Sequence, residues 1–206
     1  LLRDRRPRGR CPRMKRRTLA AGLAAGALLA ACGKENASAP AAGAAATPVT
    51  PEAIASGAKG FSVGSAMSAR VIYVFFDAQC PHCSALWDAA RPLKSQARFV
   101  WIPVGLLGEK SFAQGGAILH APDPAAAMDQ HEVSMRNQQG GIAAMGVADA
   151  QKDVVRQNTA LFTRFGFGGV PVVVGKHAQN GELITIEGSL PTAMLAQRLG
   201  LSAPGG

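Results

Sequence analysis

The stretch that most constrains this chain is Val71–Cys83, VIYVFFDAQCPHC. Six apolar residues in a row, Val71 to Phe76, read as a buried strand. A short turn, Asp77-Ala78-Gln79, leads into Cys80-Pro81-His82-Cys83, and a helical pattern follows. The N-terminus of a helix carries partial positive charge and unpaired N–H groups, and both stabilise a thiolate. Two sulfurs three positions apart on one helical turn can close a disulfide with little backbone movement. The same pair is a poor structural staple, because the loop it closes is tiny and removes little unfolded-state entropy. The spacing therefore points to redox use of Cys80 and Cys83.

Charge narrows the possible partners. The chain carries 22 Lys and Arg against 13 Asp and Glu. Nine of those basic residues and one acid, Asp4, lie in residues 1–31, so the remainder is nearly neutral. The basicity belongs to a leader, and nucleic-acid binding loses its support. Met14-Lys15-Arg16-Arg17 reads as a positive n-region and Thr18–Ala31 as an uncharged signal-peptide core, too short to span a membrane. Residues 1–13 read as an extension upstream of the true start, and 14–31 as the signal peptide. Leu29-Ala30-Ala31-Cys32 resembles a bacterial lipobox, which implies lipidation of Cys32. Of the four cysteines, Cys80 and Cys83 are then the thiols left for chemistry.

Residues 32–58 are rich in Ala, Pro, Ser and Thr and read as a linker, with one short helix conceivable at Pro51–Lys59. Residues 59–203 carry the folded pattern. Phe61–Val63 reads as an edge strand, Arg70–Phe76 as the central strand, and Arg98–Val104 as a second strand parallel to it. Leu86, Trp87, Ala90 and Leu93 give Cys80–Ala97 a helical inner face, which Pro92 must kink or break. Helical patterns follow at Ser111–His120, Pro124–Glu132 and Asp149–Phe165, with Asp123 placed to cap the second. Val170–Val174 reads as a strand, Asn180-Gly181 as a hairpin turn, Leu183–Glu187 as the returning strand and Leu190–Leu199 as a closing helix. The order gives an α/β, thioredoxin-like fold with a helical insertion between the βαβ unit and the C-terminal β-hairpin and helix.

Phe75 to Cys83, with Leu86-Trp87 and Ala90-Arg91-Pro92, resembles the catalytic domain of the periplasmic disulfide isomerases of DsbC/DsbG type, nearer to DsbG. The resemblance covers roughly Gly60–Leu199. It implies a thiol–disulfide oxidoreductase of the bacterial envelope, with Cys80 as the attacking thiol and Cys83 as the resolving thiol. It further implies a cis bond at Val170-Pro171, in a loop that docks extended substrate beside the disulfide. Three features depart from the pattern. Residues 32–69 leave no room for an N-terminal dimerisation domain, so a monomer is expected. Pro81-His82 is the dipeptide of the oxidant DsbA, and Val170 also resembles DsbA where the isomerases carry Thr. Moreover, Val74 stands where thioredoxin and DsbA have a buried acid, and Asp77, in the turn, is not assigned that proton-relay role.

The expected function is thiol–disulfide exchange on unfolded or misoxidised exported proteins, with a membrane redox partner, in the periplasm on a lipid anchor. With Gly33 after Cys32, outer-membrane sorting is favoured. No cofactor is expected beyond the Cys80–Cys83 disulfide. His82 is expected to bring positive charge or an N–H toward the Cys80 sulfur, which stabilises the thiolate and makes the disulfide more oxidising. The flanks favour an isomerase and the Pro81-His82 centre favours an oxidant. Haem attachment would need His after Cys83, where Ser84 stands. Zinc would need four ligands, and His82, His120, His131 and His177 lack the spacing. His120 and His131 read as surface or packing residues. The alternative class is a copper chaperone or a non-catalytic thioredoxin-like binding module.

Overall fold

The computed structural model describes residues 47–203. The proposed upstream extension, the signal peptide, Cys32 and most of the linker lie outside them. Among the described residues no helix is long and apolar enough to cross a membrane.

The centre of the fold is strand β2, Val71–Asp77. Its side chains alternate between two faces, and both are covered. Ile72, Val74 and Phe76 join one apolar cluster, and Tyr73 and Phe75 join the other. That is why the strand reads as an unbroken apolar run. β2 pairs in parallel with β3, Arg98–Val104, and antiparallel with β4, Val172–Lys176. The edges are β1, Phe61–Gly64, antiparallel to β3, and β5, Leu183–Glu187, antiparallel to β4. The sheet order is β1-β3-β2-β4-β5.

Helices cover both faces. The first cluster takes Leu86 and Trp87 from α2, Pro81–Ala90, and Leu195 and Leu199 from the closing helix, Thr192–Leu199. The Trp87 and Trp101 rings meet edge to face, with centroids 4.8 Å apart. The second cluster takes Ile54 from α1, Pro51–Gly57, Leu161 and Phe162 from α5, Asp149–Arg164, and Phe165 just beyond its end. Phe75 packs its ring against Phe162 at 5.5 Å. The inserted block comprises α3, Glu109–Leu119, α4, Pro124–Arg136, and α5. Asp123 caps α4 as its sequence position implies: its carboxylate accepts the Ala126 N–H at 3.0 Å. The closing helix is α6.

Several boundaries differ from the sequence reading, among them α4, which runs on to Arg136 rather than ending at Glu132; three have a clear physical reason. α2 ends at Ala90 rather than near Ala97, because Pro92 has no N–H to continue the helix and the chain tightens into a 3₁₀ turn, Arg91–Leu93. β4 starts at Val172 rather than Val170, since Pro171 has no N–H for the ladder; its carbonyl instead accepts the Gly188 N–H at 2.8 Å. The linker assignment of residues 32–58 fails for the described part. Thr50 caps α1 through its hydroxyl, Thr47 N–H donates to Arg164 O at 3.0 Å, and Ile54 is fully buried under β2 and α5. The few apolar residues of this segment are enough to cover the second face of the sheet, so the domain includes residues from Thr47 onward rather than from Lys59.

This packing sets a test. Ile54→Ala is expected to destabilise the protein by about 2–5 kcal/mol, the range for truncating a buried aliphatic side chain. Chemical denaturation would measure it, and an unchanged midpoint would return the segment to the linker.

Candidate active site

The end of β2 delivers the chain into the Cys-x-x-Cys turn. Cys80 N–H donates to Asp77 O at 3.0 Å, closing the turn. Cys80 is the N-cap of α2 with an extended backbone, and Pro81 takes the first helical position. The Cys80 sulfur stands where a capping oxygen normally stands and accepts the Cys83 N–H at 3.4 Å. The Cys83 sulfur lies further inside and accepts the Asp77 N–H at 3.4 Å. Cys80 is largely buried and Cys83 completely so; both are free thiols.

The two sulfurs have opposite electrostatics. Cys80 is lowered to about 6, first by the Cys83 thiol and then by the backbone N–H groups of Cys83 and His82, against the opposing effect of burial. Burial, followed by the neighbouring Cys80 sulfur, pushes the Cys83 thiol far up. One cysteine is thus held as a thiolate at neutral pH and the other as a thiol. His82 contributes through its backbone N–H, while its ring is exposed.

Across the site, the Val170-Pro171 peptide bond is cis, and the Val170 carbonyl oxygen lies 3.6 Å from the Cys80 sulfur. The loop Gly105–Gly108 is tied in by Asp77. One carboxylate oxygen accepts the N–H groups of Leu106 and Leu107 at 2.7 and 2.9 Å, and the other accepts that of Gln79 at 2.8 Å. Asp77 is 1% exposed. Three backbone donors satisfy this buried carboxylate, which is occupied as a fastener for two loops.

The inserted helices are fastened to the same turn. His131 on α4 is fully buried and bonds through Nε2 to Ala78 O at 2.6 Å, while its Nδ1 accepts the Ile142 N–H at 3.2 Å. Those partners assign the neutral tautomer with the proton on Nε2, and burial lowers the imidazole pKa in agreement. Gln114 on α3 donates to Gly140 O and Ile142 O and accepts from Gln79. Gly141 has φ +88°, and a Cβ there would sit 2.4 Å from the His131 ring, so both conformation and space call for glycine. Among the described residues, no group of three or more His, Cys, Asp or Glu is placed to hold a metal ion.

No family model matches the sequence. The chain is 30% identical over 141 residues to the thiol:disulfide interchange protein DsbG of Pseudomonas aeruginosa, covering 66% of this chain and 54% of that protein. It is also 30% identical over 112 residues to Escherichia coli DsbG, covering 53% and 45%. The chain is DsbG-like. It spans about half the length of these curated relatives. Among solved structures, the catalytic domain of Proteus mirabilis ScsC aligns with a TM-score of 0.56 at 18% identity, over 72% of this chain and 96% of that one. A periplasmic thioredoxin-like protein from Salmonella enterica serovar Typhimurium aligns with a TM-score of 0.55 at 16% identity, over 75% and 97%. These likenesses establish the thioredoxin-like fold.

Within this DsbG-like domain, Cys80, Cys83, Pro81, Val170 and Pro171 gather at one point, and the His82 backbone joins them. Cys32 lies outside the described residues. Sequence reasoning missed the fastening roles of Asp77, Gln114 and His131. His131 reads as a packing residue from the chain alone, and its bond to the cysteine turn joins positions 53 apart. Asp77 carried a usable signal, an acid at the end of an apolar strand, where burial demands several donors.

The site predicts a pH profile. Alkylation of reduced protein is expected to follow one thiol with a midpoint near pH 6, Cys80, and Cys83 is expected to stay unreactive until the protein unfolds. Because folding lowers the Cys80 pKa, its contribution to the stability of the reduced form is full above the unfolded pKa, about 8.5. It is lost as pH falls through about 6. Iodoacetamide kinetics and denaturation of the reduced protein across this window measure both.

Proposed function

We propose that this protein is a thiol–disulfide oxidoreductase acting on exported proteins through a Cys80–Cys83 redox pair. The observation that carries this reading is the split between the two sulfurs: a thiolate-favoured Cys80 at the cap of α2 and a buried, thiol-favoured Cys83 directly behind it. The similarity to two thiol:disulfide interchange proteins supports the same activity.

The chemistry balances without a cofactor. In the oxidising direction a substrate thiolate attacks the Cys80 sulfur of the disulfide. A substrate–Cys80 bond forms, the Cys80–Cys83 bond breaks, and the electron pair leaves on Cys83, which takes a proton. A second substrate thiolate then attacks the substrate sulfur of the mixed disulfide, and Cys80 leaves as a stable thiolate. The substrate loses two electrons and the pair gains them. A membrane thiol–disulfide partner restores the disulfide. Isomerisation uses the same steps with Cys80 starting as thiolate and attacking a substrate disulfide.

The oxidising direction is favoured, because holding Cys80 as a thiolate stabilises the reduced form and makes the disulfide a better oxidant. The backbone of Val170, beside the Cys80 sulfur, is the counterpart for an extended substrate strand. Export by residues 14–31, lipid attachment at Cys32 and residence in the periplasm at the outer membrane complete the reading.

Two substitutions test it. Cys83→Ser is expected to accumulate mixed disulfides between Cys80 and exported proteins, visible as reducible high-mass bands in alkylated cell extracts. Cys80→Ser is expected to show none and to lose oxidation of a reduced test protein. A redox titration is expected to fall nearer to DsbA, about −120 mV, than to thioredoxin, about −270 mV. A thioredoxin-like potential would instead favour the reductase or isomerase direction.

A further inference from the structure

A cavity of about 270 Å³ opens beside the nucleophile, between the start of α2 and the face of α4. Cys80, Pro81 and Ser84 line one side, and Glu132, Met135 and Arg136 line the other. Glu132 is 2% exposed, and its Oε2 has no hydrogen-bond partner. Leaving a buried carboxylate oxygen without a donor is costly. The Ser84 hydroxyl, which lines the same cavity, hydrogen-bonds the carboxyl and relieves it in part, while Oε2 stays without a donor. Arg136, one turn further along α4, is drawn to Asp88 at 3.1 Å. Burial pushes the Glu132 carboxyl up; Ser84 and Arg136 act against that, while Asp88 and the Cys80 sulfur reinforce it. The other buried carboxylate nearby, Asp77, has its donors in place. Glu132 alone of this pair has an acceptor free, in a cavity that also reaches the attacking sulfur.

The walls indicate what would fit. Pro81, Met135 and Ala78 offer an apolar surface, and Glu132 Oε2 is a carboxyl oxygen without a donor, which a cationic head would hold in its ionised form. A side chain with a methylene stem and a cationic head matches both features. We propose that this cavity is a substrate subsite for a Lys or Arg flanking the cysteine of the exported protein, with the stem against Pro81 and Met135 and the head on Glu132. This rests on the thiol–disulfide exchange reading above. The subsite makes reaction at Cys80 selective for cysteines in a basic local sequence.

The test uses reduced cysteine peptides that are identical except for Lys, Gln or Glu on both sides of the cysteine. Each reacts with the oxidised protein, and mixed-disulfide formation is followed by mass spectrometry after acid quenching. Each rate is divided by that peptide's rate with the uncharged disulfide of 2-mercaptoethanol, which removes the effect of the flanking charge on the peptide thiol. The normalised rate for the Lys peptide is expected to exceed that for the Gln peptide by about tenfold, the value of one hydrogen bond to a charged group. The Glu peptide is expected to be slowest, and the Lys-to-Gln ratio is expected to collapse in Glu132→Gln. Equal normalised rates in the unaltered protein would overturn the subsite without reference to any variant, and so would a preference that survives Glu132→Gln. Failure of every peptide to react would instead overturn the exchange reading on which the subsite rests.

Discussion

The Cys80 sulfur accepts the Cys83 N–H at the first turn of α2, and the rest of the site depends on that bond. Helices ordinarily fill this position with a hydroxyl or carboxylate oxygen. With sulfur there, the unpaired N–H groups and dipole of the helix act on a thiol and stabilise its anion. The remaining apparatus keeps the cap in register. β2 aims the turn, Asp77 closes it, and the opposite thiol stays protonated because Cys83 is sealed into the core.

The inserted helices belong to this apparatus. His131 bonds to Ala78 O, and Gln114 links Gln79 to the Gly140–Ile142 segment. Any shift of α3 or α4 therefore reaches the cysteine turn through hydrogen bonds that are part-buried at Gln114 and fully buried at His131, where they are strong and costly to break. The insertion also forms one wall of the cavity beside Cys80, so the segment that distinguishes this chain from a minimal thioredoxin-like domain is the one able to set its substrate preference.

The tension between isomerase-like flanks and an oxidant-like centre has a local physical basis. Phe76-Asp77 and Trp87–Pro92 contribute packing and loop fastening: Trp87 is buried and donates to Asp129 at 2.8 Å, and Asp77 holds Leu106 and Leu107. These residues say which framework is used. The thiol chemistry is set closer in, by the helix start and the Cys83 thiol, with the His82 contribution coming from its backbone. Flanks that resemble one type of exchange protein are therefore compatible with a thiolate-favoured Cys80.

The sequence by itself determined the strand, the cysteine pair, the order of elements and the proline-bounded loop opposite. Apolar runs, helical periodicity and proline act over a few residues, and their physics is written in adjacent positions. The end of α2 and the start of β4 were legible as proline effects, though displaced by a few residues. Only the tertiary structure decided what Ile54 covers, what Asp77 and His131 fasten, and that Glu132 lies buried with a free oxygen beside Cys80. Each depends on which distant segments meet. A polar residue in an amphipathic helix looks alike in sequence whether it faces water, closes a network or waits for a ligand, and burial against specific partners is what separates the three.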